Sequence, residues 1–201
     1  MLSQNWINGE VNKPLQITLA DAEEFLTRNQ VRHALVGGLA VALRGQPRAT
    51  IDVDMILATD VDDVLDLIAR LPASPFLPLF VDVEEIVQAS LILPLRHRDT
   101  GVKVDMAIGL SGFERQAVER AQLCDVAGTK VPVATAEDLI IMKSLAARPR
   151  DQQDLEGLVV AQASSIDWSY CEHVARELGE ALGIDLYNHV HALRRGNSND
   201  D

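Results

Sequence analysis

Asp52 and Asp54, two aspartates with one residue between them, are the side chains of this sequence best suited to chemistry. Over residues 48–55 the even positions are polar and the odd ones apolar or small, and this period of two predicts a β-strand. The polar face of that strand is expected to carry Arg48, Thr50, Asp52 and Asp54. Two carboxylates about 6.5–7 Å apart at Cα repel each other unless a cation lies between them, and Mg²⁺ or Mn²⁺ accepts such oxygen ligands together with substrate phosphates. The pair therefore predicts half of a metal site for phosphoryl chemistry.

A second strand with the same alternation is predicted over residues 102–106, with Lys103 and Asp105 on one face. If this strand lies beside the first, Asp105 joins Asp52 and Asp54 in a group of three carboxylates. Three such acids can hold two metal ions about 3.5–4 Å apart, an arrangement that stabilises both the attacking and the leaving oxygen in phosphoryl transfer. The alternative is a strand edge whose acids are simply solvated.

A glycine turn precedes these strands and could hold phosphates opposite the carboxylates. Residues 33–36 form a short apolar run, Gly37 and Gly38 follow, and residues 39–43 favour a helix. Glycines let the backbone approach a phosphate closely, and the first N–H groups of a helix attract anions. A Gly-Gly pair alone is more often just a tight turn, but here it stands in the order strand, turn, helix, acid strand.

This order of motifs resembles the nucleotidyltransferase superfamily that includes DNA polymerase beta. The resemblance places Gly37 and Gly38 at the nucleotide-phosphate turn, Asp52 and Asp54 at the paired metal ligands, and Asp105 at the third acid. Many members have a serine after the first glycine, whose hydroxyl binds a nucleotide phosphate, whereas this chain has Gly38. The resemblance implies a mixed sheet and an NTP as substrate.

The C-terminal part is similar to the AbiEii-type toxin nucleotidyltransferases. The similarity rests on Thr135, Asp138-Leu139, Lys143, Arg150-Asp151 and Asp154-Leu155. It implies that Lys143 is a catalytic phosphate contact and that Asp151 and Asp154 support the nucleotide site. The alternative is ordinary surface charge, since Arg150 and Asp154 have the i,i+4 spacing of a helical ion pair worth a few tenths of a kcal/mol. The predicted nucleotide contacts are Gly37, Gly38, Arg48, Thr50, Lys103, Asp151 and Asp154.

The elements that must position these residues predict an α+β fold with a mixed sheet flanked by helices and followed by a C-terminal helical extension. Residues 1–134 are expected to form a nucleotidyltransferase core, residues 135–195 a helical region packed on it, and residues 196–201 a flexible tail. A helix is expected after a cap at Thr18, and residues 71–80, with three prolines, are expected to be a loop that borders the site.

Composition limits the partners. The 201 residues carry a net charge of −12, which argues against tight non-specific binding of nucleic acid. A local basic rim is nevertheless expected from Arg44, Arg48, Arg96, Arg98, Lys103, Lys143, Arg148 and Arg150, unless these residues merely balance nearby acids. No apolar run approaches the 18 or more residues of a membrane span, so no membrane partner is expected and the location is expected to be cytoplasmic.

The predicted activity is transfer of a nucleoside monophosphate from an NTP to a hydroxyl acceptor, with release of pyrophosphate. The acceptor is expected to be RNA, such as a transfer RNA end, or a protein, and a toxin of this kind would have a cognate antitoxin. Two alternatives remain at this point. One is a catalytically silent fold that acts as an antitoxin-type binding protein, and the other is a small-molecule transferase of the aminoglycoside-modifying kind.

Overall fold

A computed structural model of the chain describes residues 12–197. Over these residues seven strands form one mixed sheet in the order β3-β4-β5-β2-β1-β7-β6. The strands are β1 (His33–Val36), β2 (Asp52–Leu57), β3 (Phe76–Pro78), β4 (Ile92–His97), β5 (Lys103–Ile108), β6 (Gln122–Val126) and β7 (Thr129–Val133). The helices are α1 (Lys13–Arg28), α2 (Gly37–Arg44), α3 (Val61–Arg70), α4 (Val83–Ser90), α5 (Gly112–Arg120), α6 (Ala136–Ala146), α7 (Pro149–Gln162), α8 (Trp168–Leu182) and α9 (Leu186–Asn197). The predicted α+β class with a mixed sheet and a C-terminal helical region is confirmed.

The centre of the sheet combines both strand directions. β2 runs parallel to β5 and antiparallel to β1, and β1 runs parallel to β7. The apolar side chains of the two central strands, Val53, Met55, Val104 and Met106, are completely buried. Each such side chain contributes about 1.5–3 kcal/mol relative to an exposed one, so the dry face fixes the register of both strands. The polar residues of β2 and β5 are thereby directed to the opposite face.

The chain divides into two compact units. Of the described residues, the first unit contains 12–39 and 48–134, and the second contains 40–47 and 135–197. The sequence predicted a single boundary, between a core that ends at residue 134 and a helical region that begins at residue 135. The short segment belongs to the second unit because Gln162 Nε2 donates a hydrogen bond to Arg44 O at 2.6 Å. Gly45 also lies so close to Leu158 N that its Cβ would stand 3.1 Å from that atom.

The first helix begins earlier than predicted. α1 starts at Lys13, with Pro14 in its first turn, where a missing N–H costs nothing. Thr18 is therefore inside the helix rather than at its cap, and its Oγ1 donates to Pro14 O at 2.9 Å. Two histidine contacts hold α1 on the sheet: His97 Nε2 lies 2.7 Å from an Asp21 oxygen, and His33 Nε2 lies 2.7 Å from a Glu23 oxygen.

The segment 71–80 is more ordered than the predicted loop. Leu71–Ala73 forms a 3-10 turn, and Phe76–Pro78 forms β3, which pairs with β4 at the edge of the sheet. Proline is tolerated at a sheet edge because one side of an edge strand needs no ladder hydrogen bond. Phe76 is completely buried, which favours this strand despite the proline at its end. The segment lines a groove between α3, β3 and α4. This groove is lined by none of the predicted site residues and by no residue of β2 or β5.

The predicted tail over residues 196–201 is partly described. Its first two residues complete α9, and residues 198–201 lie outside the described part of the chain. Between residues 12 and 197 no helix combines the length and the apolar composition that crossing a membrane requires.

Candidate active site

The polar face of β2 and β5 carries the three predicted acids, and we call Asp52, Asp54 and Asp105 the acid face. In the parallel register Asp54 is the Cα partner of Asp105, and Asp52 is the partner of Lys103. Neighbouring strands are about 4.8 Å apart, so Asp54 and Asp105 stand side by side. This is the strand pairing that the sequence interpretation required.

Hydrogen bonds orient the side chains of Asp52 and Asp105. Thr50 Oγ1 donates to Asp52 Oδ1 at 2.9 Å, and Lys103 Nζ donates to Asp105 Oδ2 at 2.6 Å. Asp105 Oδ1 is buried and accepts no hydrogen bond from the described residues. An unsatisfied buried acceptor costs about 1–3 kcal/mol, which is typical of an atom that awaits a ligand.

The acid face fits a divalent cation by ligand type and charge. All three side chains offer carboxylate oxygens, the donors that Mg²⁺ and Mn²⁺ prefer, and three acids outnumber the nearby cations Lys103 and Arg48. Yet within residues 12–197 no three His, Cys, Asp or Glu side chains converge into a group that could hold a metal ion. Lys103, predicted as a nucleotide contact, is bound to Asp105 instead of lying clear of it.

The strand that carries the paired acids is shorter than predicted. β2 begins at Asp52, so residues 48–51 have no strand partners and do not follow the period of two. Ile51, expected on the dry face, is 80% exposed, while Thr50, expected on the polar face, is only 7% exposed. Arg48 and Thr50 therefore reach the site from a loop rather than from the strand.

The glycine turn packs against these same side chains. Gly37 begins α2 with a φ of +65°, which disfavours any other residue, and the Asp54 carboxylate fills the place of a Cβ at this position. A Cβ at Gly38 would lie 2.7 Å from Arg48 Nη2 and 2.9 Å from Thr50 Oγ1. The structure thus brings together Gly37, Gly38, Arg48, Thr50 and Asp54, with Asp105 in register beside Asp54.

The second unit holds the other predicted residues in a separate group, which we call the lysine pocket: Lys143, Arg148, Asp151 and Asp154. Lys143 Nζ lies 2.9 Å from Asp151 Oδ1 and 2.7 Å from Asp154 Oδ2, and its side chain is 5% exposed. Arg148 Nε donates to Asp151 Oδ2 at 2.8 Å. The four formal charges cancel, and Lys143, Asp151 and Asp154 are buried while the Arg148 side chain is 51% exposed.

The turn between α6 and α7 explains this group. α6 ends at Ala146, and the left-handed backbone of Ala147 (φ +47°) reverses the chain. Pro149 starts α7 at a position that favours proline. Lys143 thereby faces the first turns of α7. Burial raises the pKa of Asp151, but the hydrogen bonds from Arg148 and Lys143 outweigh it and lower that pKa from 3.8 to about 2.

One group of hydrogen-bonded side chains, formed by Thr135, Asp138 and Tyr170, was not predicted from the sequence. Asp138 is completely buried and accepts hydrogen bonds from Thr135 Oγ1 at 2.8 Å and from Tyr170 Oη at 2.6 Å. The spacing of Thr135 and Asp138 was visible as a helix start. Tyr170 belongs to α8, and no local pattern in the sequence connects it with Asp138.

Comparisons with known proteins agree with this fold. A family model described as "Nucleotidyltransferase of unknown function (DUF6036)" matches residues 13–194. No curated protein matches the chain in sequence.

Solved structures of similar fold have low sequence identity. An antigenic nucleotidyltransferase-like protein from Paracoccidioides brasiliensis is 17% identical, with a TM-score of 0.56 over 90% of this chain and 94% of that one. The antibiotic-resistance factor ANT(2'')-Ia is 15% identical, with a TM-score of 0.54 over 90% and 100%. A second structure of ANT(2'')-Ia, in complex with adenylyl-2''-tobramycin, is 16% identical, with a TM-score of 0.50 over 92% and 98%.

Proposed function

The chain belongs to this family of nucleotidyltransferases of unknown function, and from that premise we propose that it moves a nucleoside monophosphate from an NTP to a hydroxyl acceptor. The observation that carries the proposal is the side-by-side placement of Asp54 and Asp105, with the Asp54 carboxylate packed against Gly37 of the phosphate-type turn. Acids and a glycine turn in contact are what transfer from a triphosphate requires. If the acids were merely solvated, a carboxylate packed against the turn would not be expected.

In the proposed reaction the acceptor oxygen bonds to the α-phosphorus while the bond from that phosphorus to the bridging oxygen breaks. Pyrophosphate leaves with the electron pair, and the hydroxyl proton is released to water. Asp52, Asp54 and Asp105 would hold Mg²⁺ or Mn²⁺, which would shield the charge of the triphosphate and lower the pKa of the acceptor hydroxyl. Thr50 keeps Asp52 oriented, and Arg48 offsets phosphate charge beside the turn.

The proposal also keeps Lys143 as a phosphate contact, with Asp151 and Asp154 holding its ammonium. An ammonium has three N–H donors, and two of them are directed at these carboxylates. The third is the one that a phosphate would use. This role follows the resemblance to AbiEii-type toxins, and a toxin-like enzyme would modify RNA or a protein and have an antitoxin partner.

A second candidate is transfer to a small molecule. A structural neighbour, ANT(2'')-Ia, is described in complex with adenylyl-2''-tobramycin, so this fold accommodates such a product. A third candidate is a silent binding protein, favoured by the ion pair between Lys103 and Asp105 that occupies part of the acid face.

One labelling experiment separates the three candidates. The protein is incubated with each of the four NTPs labelled at the α-phosphate and with total RNA, protein extract or aminoglycosides. We expect label on RNA or protein with the native chain and none with Asp54→Asn. Asp99→Asn, the same change at an exposed position, is the matched control and should retain activity. Label on an aminoglycoside supports the second candidate, and no label on any acceptor supports the third.

Nucleotide binding gives an independent test. Because a ligand that binds only the folded state stabilises it, Mg²⁺ with the preferred NTP at about 100 times its Kd should add about 2.7 kcal/mol to the free energy of unfolding. The measurement is the melting temperature with and without ligand. The absence of a shift with all four NTPs at millimolar concentration would argue against the site.

A further inference from the structure

Each glycine of the turn leaves space that a side chain from elsewhere in the chain occupies. At Gly37 the Asp54 carboxylate occupies the place of a Cβ. At Gly38 that place is bounded by Arg48 Nη2 at 2.7 Å, Thr50 Oγ1 at 2.9 Å and Arg48 Cζ at 3.2 Å. A real Cβ does not approach other atoms within 3.0 Å, so a side chain at residue 38 and the observed Arg48 position exclude each other.

We propose that Arg48 takes the part that a serine after the first glycine has in related sequences, and that residue 38 must be glycine for this reason. The guanidinium of Arg48 stands where a serine side chain would stand, and it becomes the phosphate-contacting group at this turn. The ligand is the triphosphate of a nucleoside. The inference rests on the proposed function and adds to it a specific coupling between residues 38 and 48.

The chemistry of a serine hydroxyl and of a guanidinium supports the replacement of the first by the second as a phosphate contact. A serine hydroxyl offers one neutral donor, whereas a guanidinium offers several donors and a full positive charge that matches phosphate oxygens. Charge-assisted hydrogen bonds are roughly twice as strong as neutral ones. Arg48 also lies beside Thr50, which orients Asp52, so one side chain connects the turn with the acid face.

The displacement of Arg48 should cost little in folding. A Cβ at residue 38 would meet the far end of the flexible Arg48 side chain, which can swing away, and the Thr50 hydroxyl at 2.9 Å, which must shift slightly. The backbone of Gly38 needs no positive φ. Gly38→Ala is therefore expected to fold. Its effect should appear as a displaced guanidinium, and so should resemble the effect of Arg48→Ala.

The first test uses no ligand and measures melting temperatures of Gly38→Ala, Arg48→Ala and the double variant. We expect Gly38→Ala to lower the melting temperature by about 2–4 °C when Arg48 is present and by less when it is absent. Gly112→Ala is the matched control, because nothing lies within 4 Å of a Cβ at Gly112. Equal effects of Gly38→Ala in both backgrounds would overturn the steric competition.

The second test measures binding of each Mg·NTP by calorimetry. Arg48→Ala and Gly38→Ala should each weaken binding by about 10- to 100-fold, and the double variant should bind no more weakly than either one alone. Arg48→Lys should retain more affinity than Arg48→Ala, since it keeps the charge. Gly112→Ala should bind like the native chain.

The outcomes distinguish this inference from the proposed function. Losses that multiply in the double variant, or undiminished binding by Arg48→Ala, overturn the inference while the proposed function stands. If the native chain binds no NTP, the proposed function fails and with it the phosphate role of Arg48. The ligand-free melting experiment still decides in that case whether residues 38 and 48 compete for one volume.

Discussion

The acid face and the lysine pocket both combine aspartates with basic side chains, but the acid face has an excess of negative charge and the lysine pocket is neutral. On the acid face three aspartates share one face of the sheet with Lys103, whose side chain is 44% exposed. In the lysine pocket two aspartates are matched by Lys143 and Arg148, and Lys143 is 5% exposed. An excess of negative charge attracts a cation, whereas in a balanced group the charges already bind one another. Residue types alone therefore do not distinguish a group with excess negative charge from one whose charges are balanced.

The largest effect on folding should come from removing the buried cation. Lys143→Met leaves two buried carboxylates without it, and breaking a buried pair in this way costs about 3–5 kcal/mol of the free energy of unfolding. The measurement is urea unfolding at neutral pH. Adding Asp151→Asn and Asp154→Asn to the variant should restore much of the loss. A change below about 1 kcal/mol would show that Lys143 is not the centre of a structural network.

The second prediction concerns the acid face. Asp54→Asn should reduce nucleotide transfer by about 10²–10³-fold, the scale for removing a preorganised charged group, and should leave the free energy of unfolding unchanged or raised. Stability is maintained because the variant relieves repulsion between neighbouring carboxylates. The measurements are initial rates at saturating NTP and the melting temperature. A large loss of stability in this variant would remove the contrast with the lysine pocket.

The third prediction is a pH dependence that belongs to the lysine pocket. The folded pKa of Asp151, about 2, lies below the unfolded value of 3.8, so its contribution is complete above about pH 4. It is lost as the pH falls from about 4 to 2, and it amounts to about 2 kcal/mol. Urea unfolding between pH 5 and 2 measures it. In Asp151→Asn this part of the pH dependence should disappear.

The smallest effect should follow from Lys103→Met, which is the same change as Lys143→Met made on the acid face. Because the pair of Lys103 and Asp105 is partly exposed, its loss should cost less than about 1 kcal/mol of the free energy of unfolding. The measurement is again urea unfolding. If both lysine variants lose the same stability, the acid face is as much a structural network as the lysine pocket.

Alternation of polar and apolar residues was sufficient to predict that β2 and β5 each have one buried and one polar face, because burial of one strand face fixes the direction of the side chains. The pairing of β2 with β5 was a condition of the site hypothesis and not a result of the alternation. The same pattern failed at residues 48–51, where no neighbouring strand enforces it. The prolines of residues 71–80 predicted a loop, and this prediction was wrong because burial of Phe76 overrides the local tendency toward a loop. Pattern arguments hold where the environment repeats along the chain and fail where one contact decides.

The surroundings of Lys143 depended on information that no local pattern contains. Its two aspartates belong to the next helix, and a left-handed residue at Ala147 turns that helix toward it. The exclusion of a side chain at Gly38 by Arg48 was equally hidden, because it requires the exact path of a loop. Charge partners and shared volumes are properties of tertiary structure.

The parallel pairing of β2 with β5 has a consequence for synthesis of the protein on the ribosome. The strands that carry Asp54 and Asp105 are distant in sequence, with two helices and two other strands between them. Pairings of this high contact order form late, since a long loop must close before they are rewarded. Under the proposed function, a nascent chain should therefore bind metal and nucleotide only after β5 has been translated and has docked, so that premature termination products remain inert.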